Sequence, residues 1–95
     1  MDPDLSDLTI ADVVVSTAGR DVGQLFYVLE TDGTYLMLID GKGRTIEKPK
    51  RKKIKHTKKV LRSETRVAEK LRLGDKVLNS ELRRDLAYLR NNLGG

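Results

Sequence analysis

The apolar positions of this chain follow two different periods, one in each half. Three short apolar runs predict β-strands at 13–15, 25–29 and 35–39. The pair Asp32-Gly33 lies between the second and third runs, and it is a strong signal for a tight hairpin turn. From Ser63 onward the apolar positions recur about every 3.6 residues, which predicts helices.

The second half predicts two helices separated by a glycine. Ser63 is the expected N-cap of the first helix, and Gly74 is its expected end. The second helix is expected to begin at Asn79 or Ser80. Its apolar positions form one stripe, made of Leu82, Leu86, Leu89 and Leu93 and extended backwards by Leu78.

The predicted strands favour a mainly β fold in the form of a small antiparallel barrel. Thr45 and Ile46 begin a further short extended piece, so four or five strands follow one another within about 45 residues. The second and third strands are apolar on both faces, and something must therefore cover the outer face. We expect an acidic lead-in at 1–11, a barrel at 12–62 and a helical hairpin packed on it at 63–95.

The charge of the chain is distributed very unevenly. Residues 1–41 carry a net charge of −7, residues 42–62 carry +10, and residues 63–95 carry +2. The most basic stretch, Lys48 to Lys59, reads KPKRKKIKHTKK, and eight of its twelve residues are lysine or arginine. Such a local excess indicates a surface for a polyanion, although a solvated run or a nuclear-type targeting signal is the alternative.

The basic stretch is expected to be folded. Pro49 predicts a turn over 48–51, and 52–56 is expected to form a barrel strand with Ile54 inward and the lysines outward. Residues 57–62 are expected to lead into the first helix. A β-branched apolar residue in the middle of the stretch favours this interpretation over a disordered tail.

Other candidate sites are weaker. His56 has no carboxylate or cysteine near it in sequence, so we expect it to pack at a strand end or to contact RNA rather than to catalyse. The early aspartates lack the pattern of a calcium loop and are expected at the surface; they are Asp2, Asp4, Asp7 and Asp12. Phe26, Tyr27 and Tyr35 are candidate stacking platforms for bases, although most of them are expected in the core. Tyr27 or Tyr35 is a candidate to keep its hydroxyl at the surface of the sheet.

The two predicted helices around Gly74 could also form a DNA-reading helix-turn-helix. Arg83, Arg84 and Arg90 would be its contacts, but the leucine stripe and the lack of a third helix disfavour it.

Composition excludes several functions. The chain has no cysteine, which excludes disulfides and thiolate chemistry and fits a cytoplasmic protein. No apolar run is long enough to span a membrane, and the N-terminal residues do not form a secretory signal. No nucleophile with a base and no metal-ligand cluster can be assembled, so we expect neither an enzyme nor a bound cofactor or metal.

Residues 12–57 resemble a KOW domain, the small SH3-like barrel of several ribosomal proteins and NusG-type elongation factors. The matching pieces are DVVVS, the loop GRDVGQ with Gly23, LFYVL and the hairpin to YLMLIDG. The segment KPKRKKIKHT and the tail RVAEKLRLGDKVLNSELRRDL are similar to those of KOW-type large-subunit ribosomal proteins of archaea and eukaryotes and of short bacterial relatives. The resemblance implies RNA binding and association with ribosomes.

From these observations we expect the protein to bind RNA, in particular ribosomal RNA, through phosphates and shape. The expected contacts are Arg20, Lys42, Arg44, Lys48, Lys50, Arg51, Lys52, Lys53, Lys55, His56, Lys58, Lys59 and Arg62. Two other interpretations stay open: a protein-interaction module with an acidic docking face, and a transcription-elongation accessory of the KOW type.

Overall fold

The computed structural model describes residues 8–93, and the expectations for Asp2, Asp4 and Asp7 lie outside them. The chain forms a small, mainly β domain with five strands and two helices. The strands are β1 (Asp12–Ser16), β2 (Leu25–Thr31), β3 (Tyr35–Ile39), β4 (Lys50–Lys53) and β5 (Thr57–Arg62). The helices are α1 (Arg66–Leu73) and α2 (Asn79–Leu93), and a single 3₁₀ turn covers Ile54–His56.

The five strands form one antiparallel sheet in the order β4-β3-β2-β1-β5. The first three strands and the Asp32-Gly33 hairpin are confirmed. The ladder is open, because β4 and β5 are its two edges and no described pairing joins them. The 3₁₀ turn nevertheless links the edges along the chain, and the backbone N–H of Ile54 donates to Thr34 O at 2.9 Å.

The expectations for 45–62 were wrong in detail. No strand forms at Thr45 and Ile46, and β4 begins at Lys50 rather than after a turn over 48–51. Ile54 is buried as expected, but in the 3₁₀ turn and not in a strand. Residues 57–62 pair with β1 as β5 instead of leading into the helix. A period of two in so short a basic run cannot show where a strand ends.

Each face of the sheet carries its own apolar core. On one face, Val13, Tyr27 and Ile39 pack against both helices. On the other face, Phe26 and Leu38 belong to a separate cluster that also includes Leu8, Val14, Val28, Leu36 and Ile54. Strands β2 and β3 are thus buried on both sides, and the helices supply the cover that their sequences required.

A buried polar group joins the helices to the sheet. The Tyr27 hydroxyl donates to the Asp85 carboxylate of α2 and lies 2.8 Å from Ser63 Oγ. Burial and the Asp85 acceptor raise the pKa of Tyr27 to about 12. The expectation of a surface hydroxyl is therefore wrong for Tyr27. The Ser63 hydroxyl is engaged in this contact and is not the N-cap that the sequence predicted. Thr65 caps α1 instead, and its Oγ1 accepts the N–H of Ala68 at 3.2 Å.

The ends of the helices differ partly from expectation. Gly74 ends α1 in a left-handed conformation, as predicted. Leu82, Leu86 and Leu89 are buried on the sheet, but Leu78, which precedes α2, and Leu93, its last residue, are exposed. The stripe is therefore shorter than the sequence suggested, because the sheet covers only its middle.

Candidate nucleic-acid interface

Strand β4 places its four basic residues alternately on two faces of the sheet. In the ladder with β3, Lys52 lies opposite Leu36 and Arg51 lies opposite Met37. Since alternate residues of a strand point to opposite faces, Lys50 and Lys52 share the face of the second core. Arg51 and Lys53 point to the other face and are exposed.

Lys50 and Lys52 bind one carboxylate in the loop between β1 and β2. Lys52 Nζ lies 2.8 Å from Asp21 Oδ1 and 2.7 Å from Ala18 O, and Lys50 Nζ lies 2.7 Å from Asp21 Oδ2. The Ser16 hydroxyl also donates to Asp21, at 2.7 Å. Burial raises the pKa of Asp21, but the hydrogen bonds from the two lysines and Ser16 outweigh it and hold that pKa well below its usual range.

This network corrects the expectation for two predicted RNA contacts. Lys52 is only 8% exposed, and it was expected to point outward. Lys50 is half-buried and shares the same carboxylate. Both side chains tie β4 to the β1–β2 loop, and neither is free for a phosphate.

Lys59 is a third predicted contact that the fold occupies. Its Nζ lies 3.4 Å from Oδ2 of Asp12, which is 0% exposed and also accepts the backbone N–H of Thr9 at 2.9 Å. The surface position expected for Asp12 is therefore wrong. The isolated aspartate looked solvated in sequence because its lysine lies 47 positions away along the chain.

The remaining basic residues around β4 gather at the 3₁₀ turn. Thr17 N–H donates to His56 O at 2.9 Å, which brings the β1–β2 loop to this turn. Lys53, Lys55 and Lys58 surround the turn and are exposed, whereas His56 is half-buried. We call Lys53, Lys55 and Lys58 the turn cluster.

A second basic group lies in the connection between β3 and β4. Lys42, Arg44 and Lys48 are exposed there. Asp40 organises the connection by accepting the backbone N–H groups of Lys42 and Arg44 at 2.8 and 2.9 Å. The connection also rests on α2, since Ile46 N–H donates to Asn79 Oδ1 at 3.0 Å. These cations are presented by an ordered turn that contacts α2, away from the 3₁₀ turn.

The last two predicted contacts, Arg20 and Arg62, lie at opposite ends of the predicted set in sequence, and of the two only Arg62 has a carboxylate partner within residues 8–93. Arg20 is exposed next to Asp21 in the β1–β2 loop. Arg62, at the end of β5, lies 3.3 Å from Glu64, but both side chains are more than half exposed, and such pairs contribute little.

Eight predicted contacts are therefore exposed and have no carboxylate partner within residues 8–93. They are Arg20, Lys42, Arg44, Lys48, Arg51, Lys53, Lys55 and Lys58.

The acidic residues between positions 8 and 41 do not form a separate surface. Asp12 and Asp21 are buried in ion pairs with lysines. Asp32 and Asp40 accept backbone N–H groups in turns. Within the part of the chain that the structure describes, the negative charge of residues 8–41 therefore mainly organises the loops that flank the basic residues.

The arginines of α2 are used in part by the fold. Arg83 donates to Gly41 O at 2.6 Å, and Arg90 donates to Gly23 O at 3.3 Å. Gly41 has a φ of 78°, and a Cβ there would lie 2.2 Å from Asn79 O, so the β3–β4 connection passes very close to α2. These contacts hold one side of α2 against the β3–β4 and β1–β2 connections of the sheet, which further disfavours a groove-reading helix.

One feature of the site was missed in sequence. A cleft of about 870 Å³ opens on the face of Arg51, and its walls include Ile10, Tyr35, Met37, Arg62 and Arg72. The Arg51 guanidinium lies over the Tyr35 ring, 3.7 Å from its centroid. We call this cavity the Tyr35 cleft. The period of two placed Tyr35 and Met37 on one face, but only the register with β4 brought Arg51 there.

No model of a known protein family matches this chain, and a search of curated proteins finds no match either. Among residues 8–93, no three histidine, aspartate or glutamate side chains are grouped so that they could hold a metal ion. Neither α1 nor α2 is long and apolar enough to cross a membrane.

Proposed function

We propose that this protein is an RNA-binding domain of the KOW type that binds ribosomal RNA through its exposed basic residues and acts in translation or ribosome assembly. The observation that carries the proposal is the set of eight exposed cations without a carboxylate partner in residues 8–93. A fold that needed lysines only for solubility would not concentrate them on one connection and one turn.

The strand order supports an SH3-like barrel as the architecture behind this function. Strand β5 returns to pair with β1, and the 3₁₀ turn joins both edges of the sheet. The Asp21 ion pairs tie β4 to the β1–β2 loop across the remaining gap. A small barrel would enclose the cluster of Phe26, Leu36 and Leu38, which lies on the sheet face opposite the helices.

The ordered loops support recognition of structured RNA. The β1–β2 loop, the β3–β4 connection and the 3₁₀ turn are each held by hydrogen bonds. Cations on ordered loops lose little entropy when they meet phosphates, so a folded RNA of matching shape is bound more tightly than a flexible polyanion.

Salt dependence tests the proposal. If about six phosphates are neutralised, log affinity for a large-subunit ribosomal RNA fragment falls with log salt at a slope of roughly −4 to −5. Filter binding over a range of potassium chloride concentrations measures this slope. Salt-insensitive binding, or retention of protein partners without any RNA, contradicts the proposal.

A matched pair of variants separates the proposed surface from general charge. In the variant with Lys53, Lys55 and Lys58 changed to alanine, the slope of log affinity against log salt is expected to become less negative by about two to three. The control changes the exposed helix-side residues Arg66, Lys76 and Arg84 to alanine, which removes the same charge. Equal loss of affinity in the two variants rejects the turn cluster as a contact surface.

A further inference from the structure

We propose that the Tyr35 cleft binds one unpaired nucleobase of the RNA, next to the phosphates held by the turn cluster. This inference rests on the proposed function and adds a preference that charge alone does not supply. It assigns a binding role to Tyr35, Met37 and Arg51, which lie on the helix-bearing face of the sheet, beside Arg72 of α1 and not beneath the helices.

The first argument is the shape of the groups in the cleft. Arg51 and Tyr35 already form a stack of two flat groups, 3.7 Å apart. Arg51 is exposed, so a third flat group can join the stack on its guanidinium. Unpaired RNA bases stack on aromatic rings and on arginine planes in this way. Met37 and the exposed side chain of Ile10 add apolar surface for the edge of a ring.

The second argument is the charge within the cleft. Glu30 and Asp32 also form part of its walls. Backbone N–H groups of Tyr35 and Thr34 lower the pKa of Asp32, so its carboxylate is ionised at neutral pH. Arg51, Arg62 and Arg72 offset these two carboxylates, and a neutral base with both N–H donors and acceptors is compatible with this mixed lining.

The third argument is continuity with the basic residues. Lys53 lies directly opposite Tyr35 in the ladder between β4 and β3. The first cation of the turn cluster is thus a direct neighbour of the stack. A nucleotide whose base enters the cleft would leave its phosphate near Lys53, and the chain of the RNA could continue along Lys55 and Lys58.

Binding to paired and unpaired RNA tests the inference. A stem-loop is compared with a perfect duplex of equal length and charge, and the wild type is expected to prefer the stem-loop roughly tenfold. Arg51→Lys keeps the positive charge but removes the plane, so this ratio should fall toward one. The control Arg84→Lys makes the same change at an exposed arginine of α2 and should keep the ratio. A wild-type ratio near one, or an unchanged ratio in Arg51→Lys, overturns the inference.

A second measurement does not depend on high-affinity RNA binding. Met37 is one of only two methionines, so a ¹³C-methyl label on methionine reports directly on the cleft. Adenosine monophosphate is expected to shift the Met37 signal through the ring current of its base, and ribose 5-phosphate is expected to leave it in place. Equal shifts, or none, overturn the base site. If the protein binds no RNA, but adenosine monophosphate shifts the Met37 signal and ribose 5-phosphate does not, only the proposed function is rejected.

Discussion

The two faces of β4 use the same residue types for opposite purposes. Lys50 and Lys52 point inward and share Asp21, where they hold the β1–β2 loop against the sheet. Arg51 and Lys53, their direct neighbours in sequence, point outward without a carboxylate partner in residues 8–93. The number of cations in a basic stretch therefore overestimates how many can bind a ligand when the stretch forms a β-strand. Only half of a basic strand can face a ligand, and the other half needs its own counterions.

The largest expected effect is on the buried side of this comparison. Lys52→Met leaves Asp21 with one lysine partner in a poorly solvated site, and it is expected to lower the free energy of unfolding by about 2–3 kcal/mol. Lys53→Met removes an equal charge from the exposed side and is expected to change it by less than about 0.5 kcal/mol. Urea denaturation measures both. Equal effects of the two variants would show that the faces are not distinct.

The next effect depends on pH. Because the folded state lowers the pKa of Asp21 below its ordinary value of 3.8, the ion pairs stabilise the protein above that pH and are lost as the pH falls below it. Asp21→Asn lacks this contribution. The stability gap between the wild type and Asp21→Asn should be widest at pH 7 and should shrink below about pH 4.

Urea denaturation at several pH values follows this gap. The exposed control Asp75→Asn is expected to differ little from the wild type at any pH. A gap for Asp21→Asn that stays constant down to pH 2.5 would mean that the carboxylate charge is not what stabilises the network.

A smaller effect is expected for the third donor to Asp21. Ser16→Ala removes one hydrogen bond to the carboxylate and leaves both lysines in place. The expected loss is about 1 kcal/mol in the free energy of unfolding. Thermal unfolding by circular dichroism would measure it. A loss as large as that of Lys52→Met would place the serine, rather than the lysine, at the centre of the network.

The smallest effect concerns reactivity rather than stability. Lys53 and Lys52 are adjacent, but the Lys52 amine is buried between Asp21 and Ala18 O. Brief acetylation followed by mass spectrometry should modify Lys53 and leave Lys52 mostly unmodified. RNA is then expected to protect Lys53 and to leave the labelling of Lys52 unchanged. Similar labelling of the two amines in the free protein would contradict the placement of Lys52 and Lys53 on opposite faces of β4.

Much of the sheet could be predicted because its signals are local. Short apolar runs predicted β1 to β3, Asp32-Gly33 predicted the hairpin, and Gly74 predicted the end of α1. The apolar character of β2 and β3 on both faces also predicted that helices cover the sheet. The 3₁₀ turn and β5 were missed, because polar and basic residues carry little periodic signal at a sheet edge.

The site could be predicted only at the level of its charge. The composition of 42–62 determined that cations would crowd one part of the chain. Which of them are free was decided by the register of β4 on β3, and by Asp12 and Asp21 from distant parts of the chain. A buried lysine requires a carboxylate within a few ångströms, and that distance depends on how the chain folds back on itself. The tertiary structure alone therefore separated the lysines that hold the fold from those left to bind a partner.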